Sequence, residues 1–449
     1  MPVRHLSFLV AILGCAAGER KGVGDSGAAS HVSTSSSPMN QVAESYVKLV
    51  LAVGKHDPDY VDAYYGPPEW KAEADSATIP LGDIEQRAGA LIAQVGADPG
   101  SASGARADTA DMARLRHAYL HKQLEAMVAR VKMLQGTKLS FDDEARALYD
   151  APPPKNTEEH FQEVIARLDK MLPGSGPVPA RYVAYRSQFV IPPAKVDTVF
   201  KTAIAACKER TARHITLPAG ESFVVEYVKD KPWSGYNWYK GNYHSVIQVN
   251  TSLPIYIDRA VDLACHEGYT GHHVYNALLE KSLVRDRGWQ EFSVYPLFSP
   301  QSLIAEGSAN YGIEIAFPGA ERVAFESMAL FPLAGLPAAK AEEYYRIHNL
   351  VHELSYAGNE AARRYLNGEI GGAAAADWLE RYALMSSAAA AQRVKFFDTY
   401  RSYVINYNLG QDLVRQYVER SAGPNATADD RWRVFGALLA SPRLPSGLQ

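Results

Sequence analysis

Apolar residues at Val42, Tyr46, Leu49, Val50 and Val53 recur at helical spacing, so one face of a helix is already written near the start of the chain. A longer segment, Ala105 to Gln135, puts Leu120, Leu124, Met127, Val128 and Val131 on one stripe, and Gly136 predicts its end as a C-terminal cap. Ser140 opens another helix, with Asp143 in the capping-box place, and Pro152-Pro153-Pro154 closes it. Thr157 to Leu172 is helical again, Pro173 to Pro179 reads as a linker, and Lys195 to His214 as a further helix. The pattern changes between Glu221 and Asn250. Ser222 to Val228 is rich in β-branched and aromatic residues, Lys240-Gly241-Asn242 is a turn, and Ser245 to Asn250 is a short strand. Helical spacing then returns up to about Leu439. The reading is one mainly α domain, 39–449, with a small β insertion; a division near Pro177 is left open.

The first residues stand outside that fold. Arg4 and His5 precede an apolar run, Leu6 to Gly14, too short to span a bilayer. It ends in Ile12-Leu13-Gly14-Cys15, which resembles a lipobox, so residues 1–15 read as a lipoprotein signal with Cys15 as the lipid attachment site. Residues 16–38, rich in Gly, Ser and Ala, cannot bury enough surface to fold and read as a flexible tether. The expected location is the cell envelope, with the membrane contacted through the lipid anchor alone. A net charge of -4 with scattered Lys and Arg sets nucleic-acid binding aside. Cys207 and Cys265 could pair after export, but the expectation is two small buried thiols.

The run that carries chemistry is His266-Glu267-Gly268-Tyr269-Thr270-Gly271-His272-His273. In H-E-x-x-H the two histidines lie four apart, face one side of a helix and share a zinc ion. Here the second comes six or seven places on. Six residues turn an ideal helix by about 600° and raise it about 9 Å, and seven raise it about 10.5 Å. An unbroken helix therefore cannot bring both to one ion with bonds of about 2 Å. Gly268 and Gly271 supply the answer: if the helix opens there, the intervening residues loop out and the second histidine returns beside the first. His272 directly follows Gly271, needs the smaller loop-out, and is preferred over His273. Downstream, Glu306 and Asn310, four apart among apolar residues, can share an inward face, and a carboxylate facing a core needs a partner such as zinc.

These residues are similar to the H-E-x-x-P-G-H-H motif of a large bacterial family of domains of unknown function, read as zinc metallopeptidases of gluzincin-like style. Glu306-Gly307-Ser308-Ala309-Asn310-Tyr311 resembles its E-G-W-A-x-Y segment, and Ser140 to Ala145 and Tyr407-Asn408-Leu409-Gly410 look like further landmarks. The resemblance runs from about Gln41 to about Arg420. Thr270 replaces the usual Pro, Ser308 replaces Trp, and a D-x-G-x-H element is not found between Arg346 and Gly371.

The resemblance implies a gluzincin-like fold and a peptidase in which His266, His272 and Glu306 hold Zn2+, Glu267 is the general base and Tyr407 steadies the oxyanion. By analogy with gluzincins, the strand Ser245 to Asn250, at Val249 and Asn250, would hold an extended peptide substrate by strand addition. His348 and His352, and His117 and His121, share helical spacing but lack a neighbouring base, and read as packed faces. Two alternatives stay open: a non-catalytic metal-containing envelope lipoprotein that binds a ligand, and a zinc hydrolase of a non-peptide amide.

Overall fold

A computed structural model describes residues 37–96, 107–231 and 233–449. Cys15, the signal segment and nearly all of the tether lie outside the described residues. Helices dominate, as the periodicity predicts. Pro38–Val53 buries Val42, Tyr46, Leu49, Val50 and Val53, and each apolar side chain taken fully from water contributes about 1.5–3 kcal/mol. The long helix runs Ala107–Leu134, and Gly136 follows it at φ 104°, a left-handed conformation that glycine adopts without a Cβ clash. Ser140 caps Phe141–Tyr149 by accepting from the Asp143 amide at 3.1 Å, and Thr157 caps Glu158–Met171. Pro38–Gln449 forms one compact unit, with no division at Pro177. Among the described residues no helix is long and apolar enough to cross a membrane.

Among the described residues, five short strands form two small sheets. β1 (Val61–Tyr64) pairs antiparallel with β5 (Val294–Pro296), and the register shifts between Val61 and Ala63, leaving Asp62 in a bulge. The second sheet contains β2 (Ser222–Val228), β3 (Gly235–Gly241) and β4 (His244–Asn250) in the order β2-β4-β3. β4 is parallel to β2 and antiparallel to β3, to which the turn at Asn242 and Tyr243 joins it, both at positive φ. This corrects the expectation that Ser245 to Asn250 receives a peptide. β4 is the central strand, its backbone groups on both sides are engaged, Val249 is buried, and the Asn250 amide donates to the carbonyls of Lys231 and Trp233. The edge facing the chemistry belongs to β3.

Two helices cross closely at the centre of the molecule. On Pro300–Ala316, a Cβ added to Gly307 would lie 2.3 Å from the carbonyl carbon of Gly410, on Ile405–Ala422. A Cβ on Gly410 would lie 2.6 Å from the Leu303 oxygen. Backbone thus rests on backbone, and glycine at both positions permits it.

Candidate metal centre

The helix Asp258–Leu263 leads into a wide π-type turn, Ala264–Gly268, that carries His266 and Glu267. The chain then breaks: Tyr269 is extended, Thr270 takes φ 82°, and a new helix starts at His272. A Cβ on Gly271 would fall 1.9 Å from the His266 oxygen, so only glycine lets the loop fold back this tightly. The predicted opening is present, and it returns His272 to His266. Thr270 is fully buried against Gly312, whose Cβ position lies 2.8 Å from the Thr270 hydroxyl. Its φ of 82° is closed to proline, so the Thr-for-Pro difference from the H-E-x-x-P-G-H-H pattern is conformational as well as chemical.

The Nε2 atoms of His266 and His272 are 3.2 Å apart. Glu306 Oε2 lies 3.2 Å from the first and 3.7 Å from the second. An ion bonded at about 2 Å in a tetrahedron sets its ligand atoms about 3.3 Å apart, so the three spacings are close to the edges of such a tetrahedron. Glu306 Oε2 is buried and has no hydrogen-bond partner, which a cation between the three groups would remedy. The donor set therefore fits a divalent metal. Burial works to raise the Glu306 carboxyl, but the two imidazoles beside it hold it below the usual carboxylate range. Among the described residues no other group of three His, Cys, Asp or Glu side chains is arranged to hold a metal.

Neighbours fix the ligands. His266 Nδ1 sits 2.9 Å from Asn310 Oδ1, and the Asn310 amide donates to the Tyr407 carbonyl at 2.9 Å. An imidazole that donates from Nδ1 turns the Nε2 lone pair to the metal. Tyr403 donates to Glu306 Oε1 at 2.7 Å; its hydroxyl is engaged with the ligand, while Tyr407 packs against it, ring centroids 5.8 Å apart. Tyr407 is close enough to Glu306 and Glu267 for burial and these carboxylates together to raise its phenol well above the usual value. His273 goes elsewhere: buried, it lies 2.9 Å from Ser245 Oγ through Nδ1 and 2.9 Å from Glu221 Oε2 through Nε2. Lys208 and Tyr269 also bond Glu221, and against the effect of burial these partners draw its carboxyl down to about 2.

Glu267 is 5% exposed and lies against β3, where a Cβ on Gly235 would come within 2.8 Å of its Oε1. Asn237, also on β3, holds the Glu267 carbonyl at 2.6 Å. Burial pushes the Glu267 carboxyl up to about 7, opposed by His272 and assisted by Glu306. Further along β3, the Tyr236 hydroxyl donates to Asp62; burial raises the Asp62 carboxyl to about 6 against that bond. Cys207 and Cys265 form a disulfide with a Cα separation of 5.7 Å, correcting the expectation of free thiols. Helix packing, invisible to spacing in sequence, brings them together, and the cross-link ends one residue before His266.

His117 and His348 are packed, as expected, but His352 is not, which corrects the expectation of a packed face there. His117 bonds the Val95 carbonyl at 2.8 Å, His348 stacks on Tyr344, and His352 is exposed. Two open hollows of about 510 and 530 Å3 lie on the surface, and neither is lined by the residues of this centre. Sequence reasoning passed over Asp62, Glu221, Asn237 and Tyr236, which belong to no motif. The one available signal was Gly235, a glycine at the start of a strand, where backbone and side chain approach closely.

No protein-family model matches the chain, and no curated protein matches it. Its structure is similar to a candidate lipoprotein from Colwellia psychrerythraea, at 13% identity and a TM-score of 0.49, over 84% of this chain and 70% of that one. It is also similar to a candidate lipoprotein of unknown function from Shewanella oneidensis, at 13% identity and a TM-score of 0.40, over 82% and 75% of the two chains. At that identity and with TM-scores below 0.5, neither likeness assigns a fold family or a function. What the geometry itself supports is a centre of two histidines and one glutamate built for a divalent metal, with a buried glutamate beside it.

Proposed function

We propose that this chain is a zinc-dependent hydrolase of peptide bonds, held at the cell envelope through a lipid on Cys15. The reading is carried by the near-tetrahedral spacing of His266, His272 and Glu306, together with Glu267, an adjacent carboxylate that is not one of the three. A site with a structural role alone would use a fourth protein ligand and would have no need of that base. Two imidazoles and one carboxylate favour zinc among divalent ions. When bound, zinc supplies Lewis acidity, lowering the pKa of water and polarising a carbonyl.

The chain's own groups do the rest. Glu267, raised towards neutrality by burial, is suited to take a proton from water and return it to the leaving amine. Tyr403 and Asn310 orient Glu306 and His266, so that both ligands are set before substrate arrives. Tyr407 faces the same carboxylates and is the candidate donor to the developing oxyanion. β3 is the edge of its sheet and passes Glu267 at Gly235, so an extended peptide added along it would lie beside the base. Cys15 as the anchor rests on the lipobox-like residues Ile12 to Cys15.

The test is a mixed-peptide screen with product masses, comparing wild type and Glu267→Gln at matched zinc content. Wild type should cleave, and Glu267→Gln should keep its zinc and lose at least about a hundredfold in rate. Equal rates would remove the base from the mechanism. Zinc binding without cleavage of any pool would favour the ligand-binding alternative.

A further inference from the structure

The bulge in β1 does more than bend a short strand. Two residues there oppose one on β5, and such bulges re-aim a side chain. The side chain re-aimed is Asp62, which meets Tyr236 from β3, the strand that passes Glu267. Tyr236 directly follows Gly235, whose Cβ position lies 2.8 Å from Glu267 Oε1, so β3 links Asp62 to the residue beside the metal ligands. Asp62 as a whole keeps part of its surface exposed, although its carboxyl is deep enough for burial to raise it. Among the described residues, no lysine, arginine or histidine forms an ion pair with it. Of the carboxylates that act on it or on which it acts, Glu306 lies against His266 and His272, and Glu267 is the base of the proposed reaction. An anionic side chain beside two further carboxylates, with no cation of its own, is electrostatically incomplete.

Its surroundings suit one chemistry. Tyr236 lies beside Asp62 and makes tilted ring contacts with Trp233 and Trp238, at centroid distances of 5.4 and 4.5 Å. Tyr295 and Tyr400 are close enough to feel the Asp62 charge. A carboxylate among aromatic faces binds an ammonium group through both ion pairing and cation–π attraction. We infer that Asp62 is the specificity residue of this cleft and takes an ammonium group of the substrate, supplied by a free amino terminus or by a lysine side chain. The inference rests on the peptide-hydrolase reading above. Metal binding does not involve Asp62, so the two can fail separately.

Calorimetry on zinc-loaded Glu267→Gln, which leaves the probes intact, compares three peptides: tetra-alanine, N-acetyl tetra-alanine and an N-acetyl tetrapeptide with one lysine. Tetra-alanine should bind at least about tenfold tighter than its acetylated form if the amino terminus is the source. If lysine is the source, the acetylated lysine peptide regains that tenfold. In either case Asp62→Asn should erase the preference at unchanged zinc content. Tyr236→Phe, which keeps the carboxylate, should retain it, whereas a merely structural role would make both variants fail alike. The wild-type cleft in the Glu267→Gln background already decides the main question if Asp62→Asn does not fold. Equal binding of all three probes, no binding of any, or a preference that survives Asp62→Asn overturns the inference. Cleavage by wild type without charge preference would leave the hydrolase reading standing and sink Asp62. An Asp62-dependent preference without cleavage would do the reverse.

Discussion

His272 and His273 are adjacent, yet one faces the metal centre and the other is sealed between Glu221 and Ser245. Neighbours on a helix point about 100° apart, so one ion cannot take both. His272→Ala should therefore remove most of the zinc and leave the fold in place, read by metal analysis and circular dichroism. His273→Ala should leave Glu221 and Ser245 without a buried partner and lower stability by about 1–3 kcal/mol in denaturant unfolding. Zinc lost from His273→Ala but kept in His272→Ala would reverse the assignment. The choice between them was legible in sequence because Gly271 sets the length of the loop-out. The roles of Glu221 and Asp62 were not. Each is one acidic residue in a β-rich stretch, and only the fold says which imidazole or phenol it meets.

Secondary elements were the most legible level. Caps at Ser140 and Thr157 and the stop at Gly136 stand where local chemistry puts them, because a cap acts over three or four residues. Sheet order was hidden. β2 pairs with β4 in parallel, so the last of that sheet's three strands sits in the middle, and no alternation pattern encodes that. The crossing at Gly307 and Gly410 was likewise present only as two glycines in motif-like segments. It has a measurable role, since it brings Tyr403 to Glu306. Gly410→Ala would press a methyl onto the Leu303 carbonyl and force the helices apart, an overpacking that costs about 1–3 kcal/mol. The variant should unfold earlier and bind zinc more weakly than wild type. Unchanged zinc affinity would mean that Glu306 is positioned without Tyr403.

For the molecule as a whole, pH and attachment are the accessible handles. Glu326 is fully buried, and burial pushes its carboxyl up to about 8 even though Arg322 lies 3.0 Å away. That guanidinium is also bound by Asp262 at 2.8 Å, so its charge is shared. The folded state then holds a proton that the unfolded chain, with a carboxyl near about 4.3, releases. Stability should fall as pH rises through the interval from about 4.3 to 8, and Glu326→Gln should flatten that slope in unfolding measured at pH 5, 6.5 and 8. A slope identical in the two proteins would show that Glu326 ionises normally. Attachment is tested by Cys15→Ser, which should move the protein from the membrane fraction to the soluble one, because a tether without acyl chains has no apolar anchor. Identical fractionation would remove the lipid from the account.

The Cys207–Cys265 bond also gives the metal centre a timetable. It closes a loop with 58 residues of separation and ends beside His266, so oxidation and metal capture organise the same turn. Two events that favour one arrangement must favour each other by the same factor, whichever comes first. In a reducing compartment the turn must be ordered by packing alone. Once oxidised, part of that ordering is already complete before the ion arrives. On the proposed reading, the reduced chain should hold zinc more weakly than the oxidised one, by the same factor by which zinc favours the disulfide.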